Sequence, residues 1–129
     1  MSTKIKFEIE FPIHATPHML YQYFGTPSGL SEWFADNVNI KDNVLIGYYC
    51  TIIDSNFHDL KYNNRNETDP DPQEVIIEEN VFIGNNVTIL KGVVIGKNSV
   101  VAAGSIVTKC FPANVVIGGN PAKIIKALD

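Results

Sequence analysis

Ile77-Glu78-Glu79-Asn80-Val81-Phe82-Ile83-Gly84-Asn85-Asn86-Val87-Thr88-Ile89 is the stretch whose reading decides the fold. Its anchors Ile77, Ile83 and Ile89 stand six residues apart, and the beat continues through Ile95, Val101 and Val107. Four residues after each comes a companion, Val81, Val87, Val93, Ser99 and Ser105, small or β-branched, with Phe111 last. Gly84 and Gly96 follow directly after Ile83 and Ile95. A sixfold period fits neither a 3.6-residue helix nor a simple hairpin meander. It fits a parallel β-solenoid, in which each coil has three short faces and a large aliphatic side chain points inward at each corner. The expected fold class is therefore mainly β.

The same beat appears upstream in Ile40, Ile46 and Ile52, with Val44 and Cys50 as companions and Gly47 after Ile46. It then fails. Ile52 and Ile77 are 25 residues apart, which is not a multiple of six, and Asp54 to Glu74 is dense in Asn, Asp, Glu and Pro. That composition cannot pave a solenoid wall, so residues 54–76 are expected to project as a loop. Long loops in compact domains usually carry function. This one holds His58, the only histidine outside the first 38 residues.

Residues 1–38 have a different grammar. Lys4-Ile5-Lys6-Phe7-Glu8-Ile9-Glu10-Phe11 alternates at period two, the mark of a half-buried strand. Thr16-Pro17 and Thr26-Pro27 each read as an N-cap with proline in the first helical turn, opening two short helices that carry Phe24, Trp33 and Phe34. The segment reads as strand, helix, helix. Its aromatic anchors need cover, and the nearest surface is the open first coil of the solenoid, so residues 16–36 are expected to cap that end. The near-repeat Asp36-Asn37-Val38 and Asp42-Asn43-Val44 marks the neighbourhood of the junction.

At 129 residues the chain is one domain, or a small domain with an appendage. Lys+Arg 10 against Asp+Glu 14 leaves a net charge of −4, which argues against a nucleic-acid or anionic-membrane partner. No apolar run reaches the roughly 18 residues of a membrane span. The first residues show no signal-peptide pattern. Cys50 and Cys110 lack both a disulfide framework and metal-ligand spacing. A cytoplasmic protein is expected. His14 and His18 are separated by Pro17, so they do not share a helix face, and no metal is expected. Asp69-Pro70-Asp71-Pro72 lacks the glycine and terminal glutamate of a calcium loop. Gly118-Gly119 reads as a turn.

Val38 to Asp129, about 70% of the chain, resembles the hexapeptide-repeat acyltransferases, and within them the sugar O-acetyltransferases. The residues that carry this are Asp42-Asn43-Val44-Leu45-Ile46-Gly47, Asp54-Ser55-Asn56-Phe57-His58, Asn80-Val81-Phe82-Ile83-Gly84, Ala103-Gly104-Ser105-Ile106-Val107-Thr108-Lys109 and Gly119-Asn120-Pro121-Ala122-Lys123. The resemblance implies a left-handed β-helix, here of about three coils, in a domain spanning residues 39–129. Phe7-Glu8-Ile9-Glu10-Phe11-Pro12-Ile13 and Thr26-Pro27-Ser28-Gly29-Leu30-Ser31-Glu32-Trp33-Phe34-Ala35-Asp36 resemble the opening of a bacterial START-like, or helix-grip, domain. The later sheet and long helix of that fold are not in the sequence, so the chain looks like a fusion or chimera.

The hexapeptide resemblance implies an O-acetyltransferase that moves acetyl from acetyl-CoA to a sugar or related hydroxyl, in a homotrimer whose cofactor clefts lie between subunits. Such transfer needs a base for the hydroxyl proton and donors for the developing oxyanion. His58 suits the base, with Asp54, Asp59 or a backbone carbonyl holding its tautomer. Carried over residue by residue, the acetyl-CoA contacts are Asn85, Ala103, Thr108, Lys109 and Lys123. Ala103 and Thr108 offer small side chains to the pantetheine arm, and the lysines suit phosphates. Residues that grip the acceptor come largely from the family's N-terminal part, which this chain has replaced. Two other readings stay open: a catalytically silent truncated solenoid or chimeric scaffold, and a START-like module sheltering a small apolar ligand.

Overall fold

The computed structural model of the protein describes residues 37–129. The strand, the two helices and the helical cap expected over residues 1–36 lie outside the described residues. From Val38 onward the chain winds as three coils of short strands. The first coil is β1 (Val38–Ile40), β2 (Leu45–Ile46) and β3 (Thr51–Ile52). The second is β4 (Val75–Ile77), β5 (Phe82–Ile83) and β6 (Thr88–Ile89), and the third is β7 (Val94–Ile95), β8 (Val100–Val101) and β9 (Ile106–Val107). Equivalent strands pair in parallel and build three walls: face A from β1-β4-β7, face B from β2-β5-β8, and face C from β3-β6-β9. The winding is left-handed.

Registers explain both the beat and its interruption. Ile77 pairs with Ile95, and Ile83 with Val101, so one coil consumes 18 residues. Between the first and second coils Val38 pairs with Val75 and Thr51 with Thr88, a step of 37 residues. The excess is the loop, inserted at the corner between face C and face A. The beat resumes in phase because the insertion occupies one corner and leaves every strand register intact.

The lumen is where the sixfold aliphatics meet. Ile77, Ile83, Ile89, Ile95, Val101 and Val107 are fully buried, as are the companions Val81, Val87, Ser99 and Ser105. Each buried aliphatic contributes on the order of 1.5–3 kcal/mol relative to exposure. In the first coil Ile40 and Ile46 are 46% and 42% exposed, because among the described residues only one coil stacks on them. The two buried serines close the far end: Ser99 Oγ donates to the Pro112 carbonyl and accepts from Val115 N–H. Ser105 Oγ donates to the Ala102 carbonyl and accepts from Gly119 N–H.

The corners follow a rule of their own. Three residues after the inward aliphatic, Asn43, Asn80, Asn86 and Asn98 adopt φ of 57–62°, and Gly92 and Gly104 adopt φ of 75° and 74°. Left-handed backbone clashes with most Cβ atoms, which is why asparagine and glycine hold these positions; Tyr49, three residues after Ile46, is the exception at φ of 59°. At the corner between faces A and B the asparagines also stack, Asn80 Nδ2 donating to Asn98 Oδ1 and Asn98 Nδ2 to Asn114 Oδ1.

After β9, Phe111 bridges to Ile95, and β10 (Val115–Gly119) pairs in parallel with β8 to extend face B. β11 (Ala122–Ala127) then returns antiparallel along β10. The turn expected at Gly118-Gly119 therefore falls two residues later, at Asn120-Pro121; the glycines end β10 instead. Gly118 is needed in the strand because a Cβ there would come 2.9 Å from that of Ala102.

Candidate active site

Face C is bordered by two edges of the prism, and the candidate residues fall on both. The edge between faces B and C stacks Gly47-Tyr48-Tyr49, Gly84-Asn85-Asn86 and Ala102-Ala103-Gly104 in successive coils. Tyr48 N–H donates to Asn85 Oδ1 at 2.8 Å, and Asn86 N–H donates to the Tyr48 carbonyl. Gly104 N–H donates to the Asn85 carbonyl at 2.9 Å. The coils approach so closely that a Cβ on Gly84 would lie 2.7 Å from Ala103 N. Asn85 and Ala103 are thus neighbours, both exposed, and Asn85 Nδ2 makes no hydrogen bond among the described residues. Lys123 belongs to the same neighbourhood at one remove: it pairs with Gly118, which lies against Ala102.

The opposite edge, between faces C and A, carries the loop, then Leu90-Lys91-Gly92, then Thr108-Lys109-Cys110. Thr108 and Lys109 are exposed, and Lys109 Nζ sits 5.7 Å from the centroid of the Phe111 ring. A cation at that distance from an aromatic face is held by the ring quadrupole. His58 reaches solvent from the loop that leaves this edge. The five acetyl-CoA candidates therefore split, with Asn85, Ala103 and Lys123 towards one border of face C and Thr108 and Lys109 on the other.

The two carboxylates proposed to orient His58 serve the loop's backbone. Asp54 is buried, and its Oδ2 accepts from Asn37 N–H at 2.9 Å while its carbonyl accepts from Gln73 N–H at 2.8 Å. This closes the loop's neck onto the first coil. Asp59 is 8% exposed; its Oδ1 accepts from Lys61 N–H, and its own N–H donates to the Glu67 carbonyl. Among the described residues neither carboxylate hydrogen-bonds the His58 ring, and each keeps its second oxygen unengaged.

Sequence reasoning missed the main tie between the loop and the solenoid. Asp69, with a side chain only 4% exposed, forms an ion pair with Lys91 at 2.8 Å. Asp69 Oδ2 also accepts from Asn56 N–H at 2.7 Å and from Ser55 Oγ at 3.2 Å, while Oδ1 accepts from Asp71 N–H. The Lys91 ammonium, then the Asn56 and Asp71 amides, hold this carboxyl far below the usual carboxylate range. The signal was one lysine on a corner facing an acidic loop. Spacing alone does not pair it with one of the loop's carboxylates, because the pairing depends on how the loop folds back. Among the described residues no cluster of His, Cys, Asp and Glu could hold a metal ion. Among the described residues no helix is long and apolar enough to cross a membrane.

Residues 74–109 match a family model described as the hexapeptide repeat of succinyl-transferase. Over these residues the solenoid is similar to the hexapeptide-repeat proteins. A second model, described as a START-like superfamily domain, matches residues 1–64. That match runs past Val38 into residues that pair as the first coil of the hexapeptide solenoid. The chain is 57% identical over 60 residues to a 2,3,4,5-tetrahydropyridine-2,6-dicarboxylate N-acetyltransferase of Kosmotoga olearia, covering 46% of this chain and 26% of that relative. Among solved structures it resembles a galactoside acetyltransferase in complex with coenzyme A, with a TM-score of 0.69, 40% identity, and coverage of 74% of this chain and 48% of that one. It also resembles a hexapeptide-repeat acetyltransferase of Vibrio cholerae complexed with acetyl-CoA, with a TM-score of 0.63, 36% identity, and coverage of 74% and 56%. The chain thus spans about a quarter of the curated relative and about half of the galactoside acetyltransferase.

Proposed function

We propose that the chain is an acetyl-CoA-dependent O-acetyltransferase acting on a sugar or related hydroxyl, with His58 as the general base. The observation that carries this reading is the pair of edges bordering face C, one bearing the His58 loop and Thr108-Lys109, the other Asn85 and Ala103. Two proteins whose structures this solenoid resembles are complexed with coenzyme A, in the galactoside acetyltransferase, and with acetyl-CoA, in the Vibrio cholerae protein. In the reaction an imidazole nitrogen of His58 takes the proton of the acceptor hydroxyl while its oxygen attacks the thioester carbonyl carbon. The carbonyl π electrons move onto oxygen, where a backbone N–H donor meets the charge. Collapse breaks the C–S bond, and the departing thiolate takes the proton back from His58, leaving acetyl ester and free coenzyme A. Asp54 and Asp59 make no hydrogen bond to the ring among the described residues, so a backbone carbonyl is the group that holds its tautomer. Lys109 and Lys123 meet the donor's phosphates.

The assembly we infer is a homotrimer, with each donor cleft between neighbouring walls. Face B supports this: Leu45 and Phe82, paired in register on its outer side, are 63% and 48% exposed. Side chains of that size are usually covered by a partner. A stable monomer by light scattering at micromolar concentration would remove both the trimer and the intersubunit cleft. The domain boundary we place near residue 38, where the solenoid pairing begins.

The activity test is thiol release from acetyl-CoA with a panel of sugars, comparing wild type with His58→Ala. The N-acetyltransferase name of the Kosmotoga olearia relative favours including primary amines in the panel. Release that His58→Ala retains removes His58 from its role. No release from either protein with any acceptor favours a silent scaffold.

A further inference from the structure

We propose that Asp69 and Lys91 are positioning residues that hold the His58 segment in its reactive orientation. The inference rests on His58 being the base. Three tethers converge on Leu90-Lys91-Gly92, the corner of the coil above the loop's origin. Gly92 N–H donates to the Gln73 carbonyl at 3.2 Å, and Gln73 N–H donates in turn to the Asp54 carbonyl. Lys91 Nζ donates to both Asp69 oxygens, at 3.1 and 2.8 Å, and to the Asp71 carbonyl. The neck and the far limb of the loop are therefore fastened to one corner.

From Asp69 the grip passes directly into the segment that ends at His58. Asp69 Oδ2 accepts from Asn56 N–H and from Ser55 Oγ, and Ser55 Oγ accepts from Phe57 N–H at 2.9 Å. Every residue from Ser55 to Phe57 is thus fixed by Asp69 or by a group bonded to it. Phe57 has φ of 64°, a left-handed conformation that a phenylalanine avoids unless its surroundings impose it. Its own side chain does not impose it, being 60% exposed. The imposed turn lies immediately before His58 and sets the direction in which that residue leaves the chain. An exposed imidazole has no packing of its own to hold it, so its placement comes from this backbone. Releasing the clamp lets Phe57 return to the ordinary φ region, and His58 turns with it.

The test compares Asp69→Ala, Lys91→Met and Lys91→Arg in the full chain. Thiol release gives kcat and the KM for acetyl-CoA, thermal unfolding reports the solenoid, and the His58 ring resonances report its surroundings by NMR. Asp69→Ala and Lys91→Met are expected to lower kcat at least about tenfold with KM for acetyl-CoA within about twofold, since no donor contact is removed. Their His58 ring resonances should move to those of a solvated imidazole, and Lys91→Arg should restore most of both. Wild-type kcat in Asp69→Ala and Lys91→Met overturns the proposal. So does a loss of kcat matched by a general unfolding of the solenoid, or unchanged His58 resonances in both variants. Failure of the base reading is separately visible: His58→Ala then keeps its activity even though the clamp variants still shift the His58 resonances.

Discussion

Asn85 Oδ1 accepts the Tyr48 amide at 2.8 Å, although the two residues are 37 apart in sequence. One exposed side chain thereby joins the first coil to the second at the edge where the donor is proposed to lie. The glycine beside Tyr48 makes room for it, because a Cβ on Gly47 would collide with the same oxygen.

Asn85→Ala removes that bond and leaves the Tyr48 amide to water. The expected loss is about 1 kcal/mol, the usual net worth of such a bond, read from chemical denaturation. The same variant should raise the KM for acetyl-CoA, through loss of the Asn85 amide donor.

Lumen truncations should grade with burial. Ile83 is fully buried and Ile46, its partner one coil below, is 42% exposed. Ile83→Ala is expected to destabilise by about 2–5 kcal/mol and Ile46→Ala by clearly less. Equal losses in denaturant melts would mean that the first coil is covered in solution.

Two corner glycines should fail for different reasons. Gly84→Ala places a Cβ 2.7 Å from Ala103 N and 3.0 Å from Ala103 Cα, so the coils must part, at a cost of about 1–3 kcal/mol. Gly104 has open space around its Cβ position but a φ of 74°. Gly104→Asn should therefore be tolerated, while Gly104→Val should be destabilised, and melting temperatures distinguish them.

The Asp69 carboxyl titrates far below its unfolded value of about 3.9, held down first by Lys91. A depressed folded pKa contributes stability that is complete above the unfolded value and is lost as pH falls towards the folded one. The melting-temperature difference between wild type and Asp69→Asn should stay constant from pH 8 to about 5 and shrink below about pH 4. A difference that persists unchanged at pH 3 would show that the ion pair is not the source.

Lys109→Ala should raise the KM for acetyl-CoA about tenfold, since one charge-assisted phosphate contact is worth roughly 1.5–3 kcal/mol before solvent screening reduces it. The effect should shrink for an acetyl-pantetheine donor that lacks the nucleotide phosphates. An equal effect on both donors would assign Lys109 another task.

The solenoid was legible in the sequence because its lumen is narrow and repetitive. Every sixth position must be large and apolar, and Ile77 through Val107 obey that rule without exception. The loop was legible for the complementary reason, since residues 54–74 are dense in Asn, Asp, Glu and Pro and carry no sixfold run of aliphatics to fill such a lumen. The corner asparagines stand three residues after Ile40, Ile77, Ile83 and Ile95, but their meaning depends on the left-handed backbone the corners require. What the sequence could not determine was which distant partners the loop would find. Lys91 meets Asp69 rather than any of the neighbouring carboxylates because the return limb of the loop passes over that corner. Asp54 turns to Asn37 for the same kind of reason: its carboxylate lies at the neck beside the start of the first coil. Strand positions repeat because each coil repeats the same burial problem. A single inserted loop solves its hydrogen bonding once, in three dimensions, and leaves no period in the chain to read.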